Sequence, residues 1–280
     1  MGNKFSTSIA RRDGVLIASL SAAALILATA CSSGAGPASG RPAGSSLAPR
    51  HVLLAAAAKA QQLTSATLTL TSQVSGIQSL TITGTVIVQR KPVLQFAGHF
   101  RLAAAGRSAQ VKEILTGTTL YLSTAALSRQ LGKPWVKIDL SALRSPAGAS
   151  FAPLVRSLQS SNFSDQAEML TLAKNVRVVG TQTVNGVPTT EYACGLNAAE
   201  GRKMMPASFR KVLAPELRAL GNTTIRFHVW IDRQNRMRKV TEILTVAGQT
   251  VHTTLTITAL NQPVHIMLPP ASQTATRPGL

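Results

Sequence analysis

The sequence predicts an α+β protein built on one large antiparallel sheet, and three observations carry that reading. Threonine and valine alternate with other residues along many segments, a period of two that suits half-buried strands. Short glycine-containing connections join the segments, as antiparallel neighbours allow and parallel ones do not. Hydrophobic residues make up 45% of the 280-residue chain, enough for a sizeable core. About ten to eleven strands and three to four helices are expected, in a single domain over residues 50–270.

At the N-terminus Lys4, Arg11 and Arg12 precede an uncharged run, residues 15–30 (VLIASLSAAALILATA). The run is short for a membrane-spanning helix and suits the core of a signal peptide. It ends Ala28-Thr29-Ala30-Cys31, the small residues and cysteine of a bacterial lipoprotein box. Ala28 stands where that box prefers leucine, and Leu27 lies one place further out. Cys31 is thus expected to be the lipidated first residue of the mature chain, anchored on the extracytoplasmic face of the cell membrane. Met1-Gly2-Asn3-Lys4-Phe5-Ser6 also fits an N-myristoylation pattern, which makes no sense of the apolar run behind it. Arg11-Arg12 leaves twin-arginine export as the alternative to ordinary secretion. Behind Cys31, the rest of residues 31–49 is serine, glycine, alanine and proline apart from Arg41 and Leu47, the composition of a flexible linker.

From Arg50, RHVLLAAAAKAQQL is rich in good helix formers. Three alternating segments follow. Leu68, Leu70 and Val74 face away from Thr67, Thr69 and Thr71; Leu80, Ile82, Val86 and Val88 face away from Thr81, Thr83 and Thr85. Leu94, Phe96 and Phe100 oppose Gln95, His99 and Arg101. Shorter strands are expected at 109–116, 118–123 and 135–140. Residues 150–175 change to helical spacing, with Phe151, Leu154, Val155 and Leu158, then Met169, Leu170 and Leu172. Strands resume at 176–184, and Asn185-Gly186 marks a hairpin turn. A further helix is expected in 205–220, and the rest alternates as strand, with Ile225, Phe227, Val229 and Ile231 opposite Arg226, His228 and Trp230. Residues 271–280 read as a disordered tail.

The formal charge is +19, from 29 basic and 10 acidic residues, which favours anionic lipid or polymer as a neighbour. Nucleic acid is disfavoured, because seven Phe, two Trp and two Tyr are too few for base-stacking platforms. No nucleophile elbow, zinc-protease helix or paired-cysteine motif occurs, so no catalytic residue, metal or cofactor is assigned. His228 and His252 would make a metal pair only if they faced each other across neighbouring strands, and solvent-facing positions are the simpler reading. Cys194, in TTEYACGL, reads as a small buried hydrophobe. The residues alone leave open whether the helices cover the sheet tightly, as a packed core, or loosely, leaving a cavity.

Two stretches carry a resemblance. VVGTQTVNGVPTTEYACGLN (178–197) has Gly180, Thr181, Val184, Gly186, Thr189, Thr190 and Tyr192. FHVWIDRQNRMRKVTEIL (227–244) has Val229, Trp230, Ile231, Asp232 and Arg238. Together with Lys133, Trp135 and Leu140 of GKPWVKIDLSAL, these resemble the LppX/LprAFG-type lipoproteins of actinobacteria over roughly residues 50–262. That resemblance implies a fold similar to the LolA/LolB carriers: a half-open antiparallel β-barrel with helices covering one side. It also implies an acylated lipid or lipoglycan ligand, membrane association through the anchor and a basic surface, and an envelope transporter as a candidate partner. On this reading Leu68, Leu70, Ile82, Val86, Phe96, Phe227 and Val229 line the floor of a cavity. Phe151, Leu154, Val155, Leu158, Met169, Leu172 and Phe209 belong to its lid, formed by segments 150–175 and 197–220. The alternative function is an interaction module of the same fold with a collapsed cavity.

Overall fold

Alternation decides the architecture, as β1 (Ser65–Ser75) illustrates: Leu68, Leu70, Ser72 and Val74 are buried, while Thr69, Thr71, Gln73 and Ser75 are exposed. In an extended chain successive side chains leave opposite faces, so this pattern commits one face of the strand to the interior. The computed structural model describes residues 48–76, 79–91, 93–139, 173–204, 220–246 and 248–276. Within them β2 (Leu80–Gln89), β3 (Gln95–Ala104), β4 (Arg107–Thr116), β5 (Thr119–Thr124) and β6 (Trp135–Asp139) form one antiparallel meander with β1. A second meander comprises β7 (Lys174–Val184), β8 (Val187–Asn197), β9 (Thr224–Asp232), β10 (Met237–Val246) and β11 (Gln249–Leu260). A single antiparallel pairing, β1 with β11, joins the two into one sheet of order β12-β6-β5-β4-β3-β2-β1-β11-β10-β9-β8-β7. The sheet is open: β7 and β12 are its two edges.

The twelfth strand departs from the expected ten or eleven. Thr274–Thr276, placed by the sequence in a disordered tail, forms β12 and pairs in parallel with β6. A turn before it and a long-range lysine contact hold it in place. Ala271–Gln273 makes a 3-10 turn, the Thr274 hydroxyl donates to the Pro270 carbonyl at 2.8 Å, and Lys133 Nζ reaches the Ser272 carbonyl.

Three α-helices are described. α1 (Pro49–Gln61) starts with proline at its first position, where the missing N–H costs nothing, and the Arg90 guanidinium donates to the Ala60 carbonyl near its other end. α2 (Ala125–Leu131) was not expected; the Thr124 hydroxyl caps it by accepting from Leu127 N, and Gly132 ends it at φ 65°. α3 (Ala198–Met204) opens on Asn197, whose Oδ1 accepts from Ala199 N and Glu200 N. Of the expected lid segments, 150–175 and 197–220, residues 150–172 and 205–219 lie outside the described residues; where 150–175 was expected to be helical, strand is already established at Lys174, and the start of 197–220 is α3. No helix among the described residues is long and apolar enough to cross a membrane.

α1 and α2 sit on the same face of the sheet. Leu53, Ala56, Ala57 and Ala60 of α1 pack against Tyr192, Cys194, Val229, Ile231 and Val240. Leu127 and Leu131 of α2 pack against Val136, Ile138, Leu120 and Leu122. Cys194 is thus a buried core residue as expected, and burial pushes its thiol up to about 11.

Candidate functional site

Register assembles the inner face, the one on which α1 and α2 lie. One row across the strands runs Val229, Val240, Leu255, Leu70, Gly84, Phe100, Val111. The next runs Ile257, Leu68, Val86, Gly98, Glu113, Leu122, Val136. Phe227, Glu242, Thr253, Ser72, Ile82 and Leu102 make a third, and Val88, Phe96, Leu115, Leu120 and Ile138 a fourth. The seven floor residues expected from the sequence, Leu68, Leu70, Ile82, Val86, Phe96, Phe227 and Val229, therefore share one face. The other expected positions, Cys31, Phe151, Leu154, Val155, Leu158, Met169, Leu172 and Phe209, lie outside the described residues.

Between the helices, the middle strands carry a cluster of Leu68, Leu70, Ile82, Val86, Val88, Phe96 and Leu255, flanked by Leu80, Leu94, Phe100, Leu102, Leu115 and Ile257. Two glycines shape it. A methyl group on Gly98 would stand 2.3 Å from Phe100 Cε2 and 3.2 Å from Glu113 Cγ, and one on Gly84 2.5 Å from Phe100 Cδ1. The Phe100 ring thus lies across both glycines, filling the space where side chains would be, in the manner of an aromatic covering a strand glycine.

Polar groups interrupt this apolar surface at few places. Ser72 and Thr253 are buried and satisfy each other, hydroxyl to hydroxyl, at 3.0 Å. Glu113 is 9% exposed, and its Oε1 is buried with no hydrogen-bond partner. Burial raises the carboxyls of both Glu113 and Glu242 to about 7. The sequence held the signal for both. In QVKEILT and KVTEILTV a glutamate takes a position that the alternation assigns to the apolar face, between Val111 and Leu115 and between Val240 and Leu244.

The outer face is chemically different. Thr241, Thr254, Thr71 and Thr83 form one row, and Lys239, Thr256, Thr69, Thr85, His99 and Lys112 another. At the β8–β10 end Trp230 is buried beneath Lys239, whose Nζ is 4.1 Å from the ring centroid, and the His228 ring stacks beside it at 6.2 Å. His228 Nδ1 pairs with Glu191 Oε1 at 2.6 Å. β10 separates β9 from β11, so His228 and His252 are not on neighbouring strands and the suggested histidine pair does not form. Asp232 is buried and accepts from Arg236 Nε and Arg238 Nε, both at 2.8 Å, and from the backbone N–H groups of Gln234 and Arg236. Burial would raise this carboxyl, but these hydrogen bonds outweigh it and hold it below the usual carboxylate range. Trp230, Asp232 and Arg238 are therefore a structural knot on the outer face, while Val229 and Ile231 of the same stretch alternate inward against α1.

No family model matches the chain. An uncharacterised 31.2 kDa protein of Streptomyces griseus is 28% identical over 116 residues, which span 40% of this chain and 37% of that protein. The structure of LprF from Mycobacterium bovis aligns over 79% of this chain and 96% of LprF, with a TM-score of 0.50 and 13% identity. The lipoprotein LppX of Mycobacterium tuberculosis aligns over 78% of this chain and 98% of LppX, with a TM-score of 0.46 and 16% identity. The open twelve-stranded sheet with helices on one face is thus the LprF type of fold, which the resemblance in the sequence had pointed to.

Proposed function

We propose that the chain is an envelope lipoprotein, anchored through Cys31, that binds an acylated hydrophobic ligand on the inner face of its sheet and transfers it across the cell envelope without covalent chemistry. The observation that carries this reading is the continuous apolar face of β9 to β6. A sheet this large needs a cover, and a loosely held cover leaves room for acyl chains, each CH2 buried contributing roughly 0.8 kcal/mol. The likeness of the fold to LprF supports the same reading. The excess of basic residues would hold the domain near anionic lipid.

A second reading has its own support. Leu70 and Val86 are 3% and 1% exposed, as in an ordinary packed core, which suits an interaction module with a collapsed cavity. Organic extraction of the purified full chain followed by mass spectrometry separates the two. Stoichiometric acylated lipid beyond the anchor itself is the expected result; its consistent absence, with no uptake of added lipid, would leave the interaction module.

A further inference from the structure

Resting on the lipid-binding reading, we propose that Glu113 is the polar recognition point of the inner face, binding a neutral hydroxyl or ester group carried by an otherwise apolar ligand. The geometry isolates this carboxyl. It stands near the middle of β4, with Gly98 on one neighbouring strand and Leu122 on the other. Its stem lies against the position a Gly98 side chain would occupy, beside the Phe100 ring. The Oε1 atom is buried and unpartnered, whereas the buried pair Ser72 and Thr253, elsewhere on the inner face, spend their hydroxyls on each other. A carboxyl so placed has hydrogen-bonding capacity that no described residue of the inner face uses.

The surroundings select the ligand's chemistry. Register sets Glu113 opposite Gly98 of β3, with Phe96 and Phe100 two places either side on the same face, and opposite Leu122 of β5, with Leu120 next along that face. Leu127 and Leu131 of α2 pack on that same β5–β6 end. No cationic side chain faces it among the described residues; Lys112 and Lys137 alternate to the other face of their strands. Without a cation the protonated form is favoured, in line with a carboxyl raised to about 7. A neutral carboxyl offers one O–H donor and one carbonyl acceptor. Glycerol esters present the matching pair, a hydroxyl beside an ester carbonyl, at the head of their acyl chains. A hydrocarbon of the same size would leave Glu113 unpaired, and that is the basis of discrimination.

The test offers 1,2-dioleoylglycerol and squalene, each carried by cyclodextrin, to the immobilised full chain and counts bound lipid by mass spectrometry. Wild type, Glu113→Leu and Glu113→Gln are compared, with thermal unfolding as the check on folding. The expected result is a fall of at least tenfold in the ratio of dioleoylglycerol to squalene for Glu113→Leu. Glu113→Gln, whose amide also donates and accepts, should stay within about threefold of wild type. An unchanged ratio in Glu113→Leu overturns the role of Glu113 and leaves the lipid-binding reading standing. Equal loss in both variants shows that the charge is what matters and overturns a neutral partner. A wild type that takes up neither lipid overturns the lipid-binding reading itself, and this inference with it.

Discussion

Replacing Glu113 by leucine reads the cost of that carboxyl in the folded protein. Burial pushes it from 4.5 up to about 7, and at about 1.4 kcal/mol for each pH unit of difference this amounts to roughly 3 kcal/mol. The folded chain holds the proton more tightly than the unfolded chain, so below about pH 4.5 both states are protonated and the group exacts no penalty. As pH rises toward 7 the unfolded chain releases its proton first, and stability falls. Above 7 both states are ionised and the whole penalty stands. Leucine removes the titration and matches the apolar neighbours at the site, so the variant's advantage over wild type should widen by about 3 kcal/mol between pH 4.5 and 8. Glu242, also raised to about 7, titrates in both proteins and drops out of the difference. Urea unfolding followed by the emission of Trp135 and Trp230 at closely spaced pH values measures it. An advantage that is the same at both ends of the range, or that narrows as pH rises, would refute the reasoning.

Four other outcomes are expected. Gly98→Ala should destabilise by about 1–3 kcal/mol, because its methyl would meet the Phe100 ring; in a double-mutant cycle with Phe100→Ala the two costs should be clearly less than additive. Asp232→Ala leaves the largely buried Arg238 and the N–H groups of Gln234 and Arg236 without their acceptor and should cost about 1–3 kcal/mol by chemical denaturation. Since the native Asp232 carboxyl is held low, that difference should shrink as pH falls toward 3, as wild type itself loses the interaction. Ala105 has φ 49° in the turn before Gly106, so Ala105→Asn should raise stability by about 0.5–1 kcal/mol in thermal unfolding. Cys31→Ala should yield a chain without acyl modification by intact-mass measurement; an acylated Cys31→Ala chain would sink the anchoring assignment.

The sheet was legible because its signals are local. Alternation in β1, β2, β3 and β9 named the face of each strand, and Asn185-Gly186 adopts the two positive φ angles, 48° and 76°, that its hairpin requires. What escaped depends on distant partners or on weak local signals. β12 is only three residues long, and its ladder partner and the lysine that reaches its turn lie far back in the chain, Lys133 being 139 positions from Ser272. α2 had a threonine cap and a terminating glycine, but its seven residues bury no side chain fully and so show little periodicity. Glu113 was legible as an acid at an apolar position in its strand's alternation, but no more than that. Its meaning came from the register that sets it beside Gly98 and Leu122, which the strand's own sequence does not contain.

The seam between β1 and β11 bears on how this chain reaches its native state. Each meander consists of neighbours in sequence and can form as it is synthesised. Thr64 and Asn261, hydrogen-bonded at the end of the seam, are 197 positions apart. A chain emerging N-terminus first therefore holds the bare edge of β1 open for most of its synthesis. During that interval the strand is a template for pairing with any other extended segment, including β1 of another nascent copy. Joining the two halves is the slow, topologically demanding event in the protein's maturation, and the moment at which crowding and chaperones have the greatest influence on yield.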